Sequence, residues 1–148
     1  MADTRVQTTV EDWVRREWMP TAFGQQFRRE RLLLSSGGRF DFDAVSSDDR
    51  IVASISTSRA KTAAGKLAVG KLHKLRSDIL FLSMVHTDRR LMVLTEADMH
   101  ALCLKEQEGG RVPAGIEFHL VTLPPELDAK LRKARQEASR EGRTDPEG

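Results

Sequence analysis

Cysteine is nearly absent: Cys103 stands alone among 148 residues, which excludes an internal disulfide and a thiolate zinc cluster and fits a reducing compartment. No run of about 18 apolar residues occurs, so no segment reads as a transmembrane helix and no membrane partner is expected. The first twenty residues carry acids and arginines where a signal peptide would have its apolar middle, and a cytoplasmic location is expected. Internal repeats, low-complexity tracts and a glycine fingerprint for a dinucleotide are also missing. An excess of either charge is missing too. Lys and Arg number 24 against 22 Asp and Glu, a net +2 that names no partner, so only the placement of charge is informative.

What is present suits one α/β domain: 39% hydrophobic and 31% charged residues, enough for a single buried core over residues 1–139, with a flexible polar tail over 140–148. A helix is expected from Thr8 or Thr9, with Val10, Trp13, Val14 and Trp18 at helical spacing as core residues. Pro20 should end it, and Phe23 to Arg29 reads as a second short helical piece. Leu32 to Leu34, Phe40 to Val45 and Arg50 to Ser58, separated by Ser35-Ser36-Gly37-Gly38 and Ser46-Ser47-Asp48-Asp49, read as an antiparallel meander. The period then changes to about 3.6 across Arg59 to Arg76, a helix with Ala60, Ala64, Leu67, Ala68, Leu72 and Leu75 on one face. Ile79 to Val85 is an apolar run expected of a doubly covered strand, and Arg90 to Leu94 reads as its neighbour in the middle of the sheet. A helix from Thr95 to Gly109, a strand over Ile116 to Leu123 and a helix opened by Pro124-Pro125 complete the order. The packing this order favours is a mixed central sheet flanked by helices.

The stretch Phe40-Asp41-Phe42-Asp43-Ala44-Val45, then Ile51-Val52-Ala53-Ser54-Ile55-Ser56-Thr57, carries the functional signal. Residues alternate in a strand, so Ser54 and Ser56 share one face and Ala53 and Ile55 the other. Phosphodiester hydrolysis with metal commonly needs carboxylates to hold divalent ions and a lysine to orient the attacking water. An acid on one strand, with an acid and a lysine two apart on the next, supplies those groups from rigid backbone. The order and spacing of Asp43, Ser54 and Ser56 resemble the PD-(D/E)XK family of restriction-endonuclease-like nucleases, over roughly Thr9 to Val85. The resemblance implies a restriction-endonuclease-like fold in which Asp43 matches the first acid and metal ligand. Ser54 stands in place of the second acid and Ser56 in place of the lysine. Members of such families relocate catalytic groups to neighbouring helices, so Glu11 or Glu17 is a candidate acid and Lys61 or Lys66 a candidate lysine. Plainer roles exist for each: Asp43 as a strand-end residue, the serines as ordinary strand residues, the glutamates as solvated helix residues.

Arg59 to Arg76 is the second signal, holding Arg59, Lys61, Lys66, Lys71, Lys74 and Arg76 with no acid in eighteen residues. With Arg15, Arg16, Arg28, Arg29 and Arg31 upstream, it reads either as a patch that tracks a phosphate backbone or as a solvated basic face. His100 and Cys103 lie three apart, but no third and fourth zinc ligand accompany them.

The expectation is therefore a nuclease-like protein that binds DNA or RNA through Arg59, Lys61, Lys66, Lys71 and Lys74, with a degraded site that is weakly active or inactive. If active, it would be a metal-dependent endonuclease using Mg2+. The alternatives are a protein-interaction or regulatory module on the same fold, which could pair with itself as a homodimer, and an active nuclease with relocated residues.

Overall fold

The computed structural model describes residues 5–144. The chain opens with α1 (Arg5–Trp13), passes through one π-helical turn (Val14–Trp18) and continues as α2 (Met19–Phe23). Three strands follow, β1 (Phe27–Leu33), β2 (Arg39–Ser46) and β3 (Ile51–Ser56), and then α3 (Val69–Ser83), β4 (Arg89–Leu94), α4 (Ala97–Glu108), β5 (Ile116–Leu120) and α5 (Pro125–Thr144). The strands make a single sheet in sequence order, antiparallel from β1 to β3 and parallel from β3 to β5. The parallel pairs need long connections, and α3 and α4 supply them.

Strand alternation divides the core into two layers. Val52 on β3, Met92 and Leu94 on β4, and Phe42 and Val45 on β2 pack against α3 and α4 with Leu72, Leu75, Ile79 and Leu82. Ile51, Ala53 and Ile55, with Leu91 and Val93, face the other way and pack with Val10, Val14, Met19 and Leu131. β3 and β4 are thus covered on both faces, which explains their nearly continuous apolar sequences. Among the described residues, no helix is long and apolar enough to cross a membrane.

Several elements differ from the sequence reading, each for a physical reason. Pro20 does not end the first helical segment; it sits in the first turn of α2, where its missing N–H costs nothing, and Gly24 stops the helix with φ of 73°. Residues Phe27 to Arg29, expected to be helical, begin β1, where Phe27 is buried and Arg29 is exposed. The expected helix from Arg59 to Arg76 is divided. Residues 57–68 form a loop closed by a Lys61–Leu67 bridge, with a turn in which the Gly65 N–H donates to the Thr62 carbonyl and Gly65 takes φ of 81°. Only then does α3 start, and it runs on through Ile79 to Leu82, the segment expected to be a strand. A short apolar run fits both assignments; here Leu72, Leu75, Ile79 and Leu82 recur at helical spacing and bury one stripe. α5 extends to Thr144, past the point where the polar tail was expected, and residues 145–148 lie outside the described part.

Candidate functional site

β2 and β3 pair only at Ala44–Ala53 and Val45–Val52. Beyond that point they separate: β2 stays with β1 as far as Arg39, while β3 stays with β4 as far as Ser56. The sheet therefore contains a fork, and Asp43 stands at its mouth. The pairing of β1 with β2 shifts there, since Arg28 faces Val45 and Glu30 faces Phe42, leaving Arg29 opposite both Asp43 and Ala44. Such a bulge bends a strand and re-aims a side chain. The Asp43 carboxylate enters the fork and its Oδ2 accepts a hydrogen bond from the Ile55 backbone N–H at 2.8 Å. That bond replaces the strand-to-strand pairing lost by the separation.

A second irregularity meets the first. The π-helical turn delivers Arg15, only 6% exposed, to the back of β2, where its Nη1 donates to the Asp43 main-chain carbonyl at 3.1 Å and its Nη2 pairs with Asp12. π-bulges are enriched where a helix must aim a functional group. α1 brings Glu11 to the same place, and α3 brings Lys74, whose Nζ is bonded to both oxygens of the buried Asp78 at 2.8 and 2.9 Å.

These groups act on one another electrostatically. Burial raises the Asp43 pKa, opposed by the Ile55 N–H and by the charges of Arg29, Lys74 and Arg15. Burial also raises Glu11, and the Asp43 charge raises it further against Arg29, Arg15 and Lys74. Asp78 is raised by burial, resisted by Lys74, with Asp43 adding a smaller repulsion. Glu11, Asp43 and Asp78, from α1, β2 and α3, thus share one electrostatic neighbourhood with Arg29, Lys74 and Arg15.

Each expected site residue has a definite place. Ser54 follows Ala53, the partner of Ala44, and so stands beside Asp43 at the fork; it is 1% exposed and lies on the α3 side with Val52. Ser56 is half-buried, and its Oγ accepts from the Ser58 N–H at 3.2 Å. Glu17 is exposed, one position beyond Arg16 in the π-helical turn, and is not among the charges acting on Asp43. Lys61 and Lys66 are exposed in the 57–68 loop; the Lys61 N–H donates to Asp98 Oδ2 at 3.2 Å and the Lys66 N–H to Thr62 Oγ1 at 3.2 Å. Lys74 is among the charges that act most strongly on Asp43 and lower its pKa; the sequence suggests only a phosphate contact for it. Asp78 was missed altogether, although its i,i+4 spacing from Lys74 on a helix was the available signal.

The donors do not fit a resident magnesium ion. Asp43 already uses one oxygen on Ile55, the neighbouring strand offers it neutral Ser54, and Arg29, Lys74 and Arg15 act against its negative charge. Among the described residues, no group of three or more His, Cys, Asp or Glu side chains gathers as metal ligands.

Not all basic residues are free to meet a phosphate. Arg28 is bound to Glu30 and Asp49, and those partners push its pKa upward; Arg31 pairs with Asp41 and Arg76 with Glu106. Arg59 lies 3.8 Å from Asp98. Lys61, Lys66, Lys71, Arg16 and Arg29 are exposed and make no ion pair among the described residues. Lys71 and Lys74 lie three apart and share a stripe of α3. No family model, curated protein or solved structure matches the chain.

Proposed function

We propose that this protein binds nucleic acid on a restriction-endonuclease-like core whose cutting centre has been dismantled. The observation that carries the reading is the β2–β3 fork, with an acid at its mouth held by a backbone amide of the next strand and cations supplied from the elements around it. The element order of helix, antiparallel meander, crossover helix and parallel strand supports the same ancestry. Ser54 and Ser56 offer hydroxyls where the resemblance calls for a carboxylate and an ammonium, and Lys74 is engaged by Asp78. A phosphate backbone laid across the fork would meet Lys71 and Arg29 directly, with Lys61 and Lys66 reaching it from the loop before α3. These contacts need no base recognition, so binding rests on charge and counterion release.

The test is fluorescence anisotropy with labelled duplex DNA and with RNA of the same length, titrated in rising KCl. A steep loss of affinity with salt is expected, together with no turnover of either probe in Mg2+ or Mn2+. Absent or salt-insensitive binding would remove the nucleic-acid reading. Efficient metal-dependent cleavage abolished by Asp43→Ala or Glu11→Gln would instead show a working centre with relocated groups.

A further inference from the structure

On the side of α3 away from Lys71, Lys74 and Asp78, a cleft of about 250 Å3 opens between α3, α4 and the segment leading into β5. Its walls are apolar: Leu72, Leu75, Ile79 and Leu80 from α3, Leu102 from α4 and Phe118 from β5. Leu80 remains 54% exposed there, an apolar side chain with nothing packed over it. Cys103 also lines the cleft, but burial and the nearby Glu106 charge push its thiol up to about 12, so it serves as a wall and not as a nucleophile. The charged groups sit at the rim. Arg76 donates to Glu106 at 2.7 Å and Arg111 reaches the other oxygen of the same carboxylate at 3.3 Å. Two guanidiniums share one carboxylate, which leaves the rim with one positive charge in excess. Arg111 is the better placed to change partner, because its bond is the longer one and its side chain is 76% exposed.

We infer that this cleft binds a small apolar anion, with its chain between α3 and α4 and its anionic head on Arg111 and Arg76. At about 30 Å3 per heavy atom, the volume suits a ligand of roughly eight to ten atoms, below the size of most drug-like ligands. A medium-chain alkyl carboxylate has that size and that charge. An uncharged alcohol of the same length would leave the excess positive charge unanswered, and an amine would repel it. The proposal is independent of the nucleic-acid reading, since none of its residues takes part in the fork.

The experiment is a titration of the full-length protein with octanoate, octanol and octylamine, followed by calorimetry and by amide chemical shifts. Saturable octanoate binding is expected, with shifts centred on Leu72, Leu102 and Val112. Octanol should bind about tenfold more weakly, and octylamine not at all. Arg111→Glu, a change at an exposed position that leaves the core intact, should weaken octanoate about tenfold, the worth of a charge-assisted bond. Leu102→Trp, which fills the cleft, should abolish binding; if that variant fails to fold, Arg111→Glu decides alone. Octanol binding as tightly as octanoate, no saturation, or shifts scattered over the surface would overturn the proposal. Self-association that is lost in Leu80→Asp and undisturbed by octanoate would assign the cleft to a second copy of this chain, and would overturn it as well.

Discussion

The carboxylate of Asp43 accepts the Ile55 amide across the gap where β2 and β3 part, so one side chain does the work of a missing backbone pair. Asp43→Ala leaves that partly buried N–H without an acceptor and should cost about 1–3 kcal/mol in urea unfolding. Asp43→Asn keeps an amide oxygen for Ile55 and removes a charge that burial already disfavours, so its cost should stay below about 1 kcal/mol. Equal destabilisation by the two variants would show that the hydrogen bond is not what matters at this position.

Acid stability should carry the imprint of Glu11 and Asp43. Their ordinary values, 4.5 and 3.8, are raised in the folded state, which therefore holds protons more tightly than the unfolded chain. Above its ordinary value each group lowers stability progressively, until pH passes the raised folded value and the loss is complete. Glu11→Gln removes one such group, so its stability relative to the parent protein should improve as pH rises from about 4 to 7. Urea midpoints of both proteins across that range check it. A difference that does not change with pH, or that moves the other way, would contradict the assignment.

Ser54→Asp tests whether the fork can hold an ion, as the proposed ancestry requires. Ser54→Asp places a carboxylate at a 1% exposed position beside Asp43, and without metal it should destabilise by about 3 kcal/mol or more. Millimolar Mg2+ should restore part of that loss and raise Tm, because an ion that binds only the folded state stabilises it by mass action. Wild-type Tm should not respond. A variant indifferent to Mg2+ would argue against an inherited ion site at the fork.

The two lysines of the α3 stripe should behave differently. Lys71 makes no ion pair among the described residues, and Lys71→Ala should reduce the salt slope of nucleic-acid binding by about one, as expected for one lost phosphate contact. Lys74, itself exposed, is held by the buried Asp78, so Asp78→Asn should release it and tighten binding roughly threefold, about 0.6 kcal/mol. Anisotropy titrations at several KCl concentrations measure both effects. Weaker binding in Asp78→Asn would mean that the aspartate positions Lys74 for the phosphate and does not withhold it.

Local pattern was enough to place the meander, β4, α4 and α5, because turn residues and a period of two or 3.6 are properties of short windows. It failed where two windows compete. The apolar run from Ile79 reads as a strand because nothing local shows that it continues the buried stripe of Leu75 and Leu72, one and two turns earlier. Phe27 to Arg29 reads as helical because the partner that makes it a strand, β2, comes ten and more residues later.

The amino-acid order alone determined the mixed architecture, the position of Asp43 on the second strand and the serines two apart on the third, since these follow from spacing along the chain. Which groups surround Asp43 was decided by the tertiary fold. The bulge opposite Arg29, the π-helical turn that aims Arg15 and the late start of α3 that substitutes Lys74 for Lys61 or Lys66 all depend on how distant segments pack. The electrostatics of the fork arise between residues tens of positions apart, and no local pattern encodes such a distance.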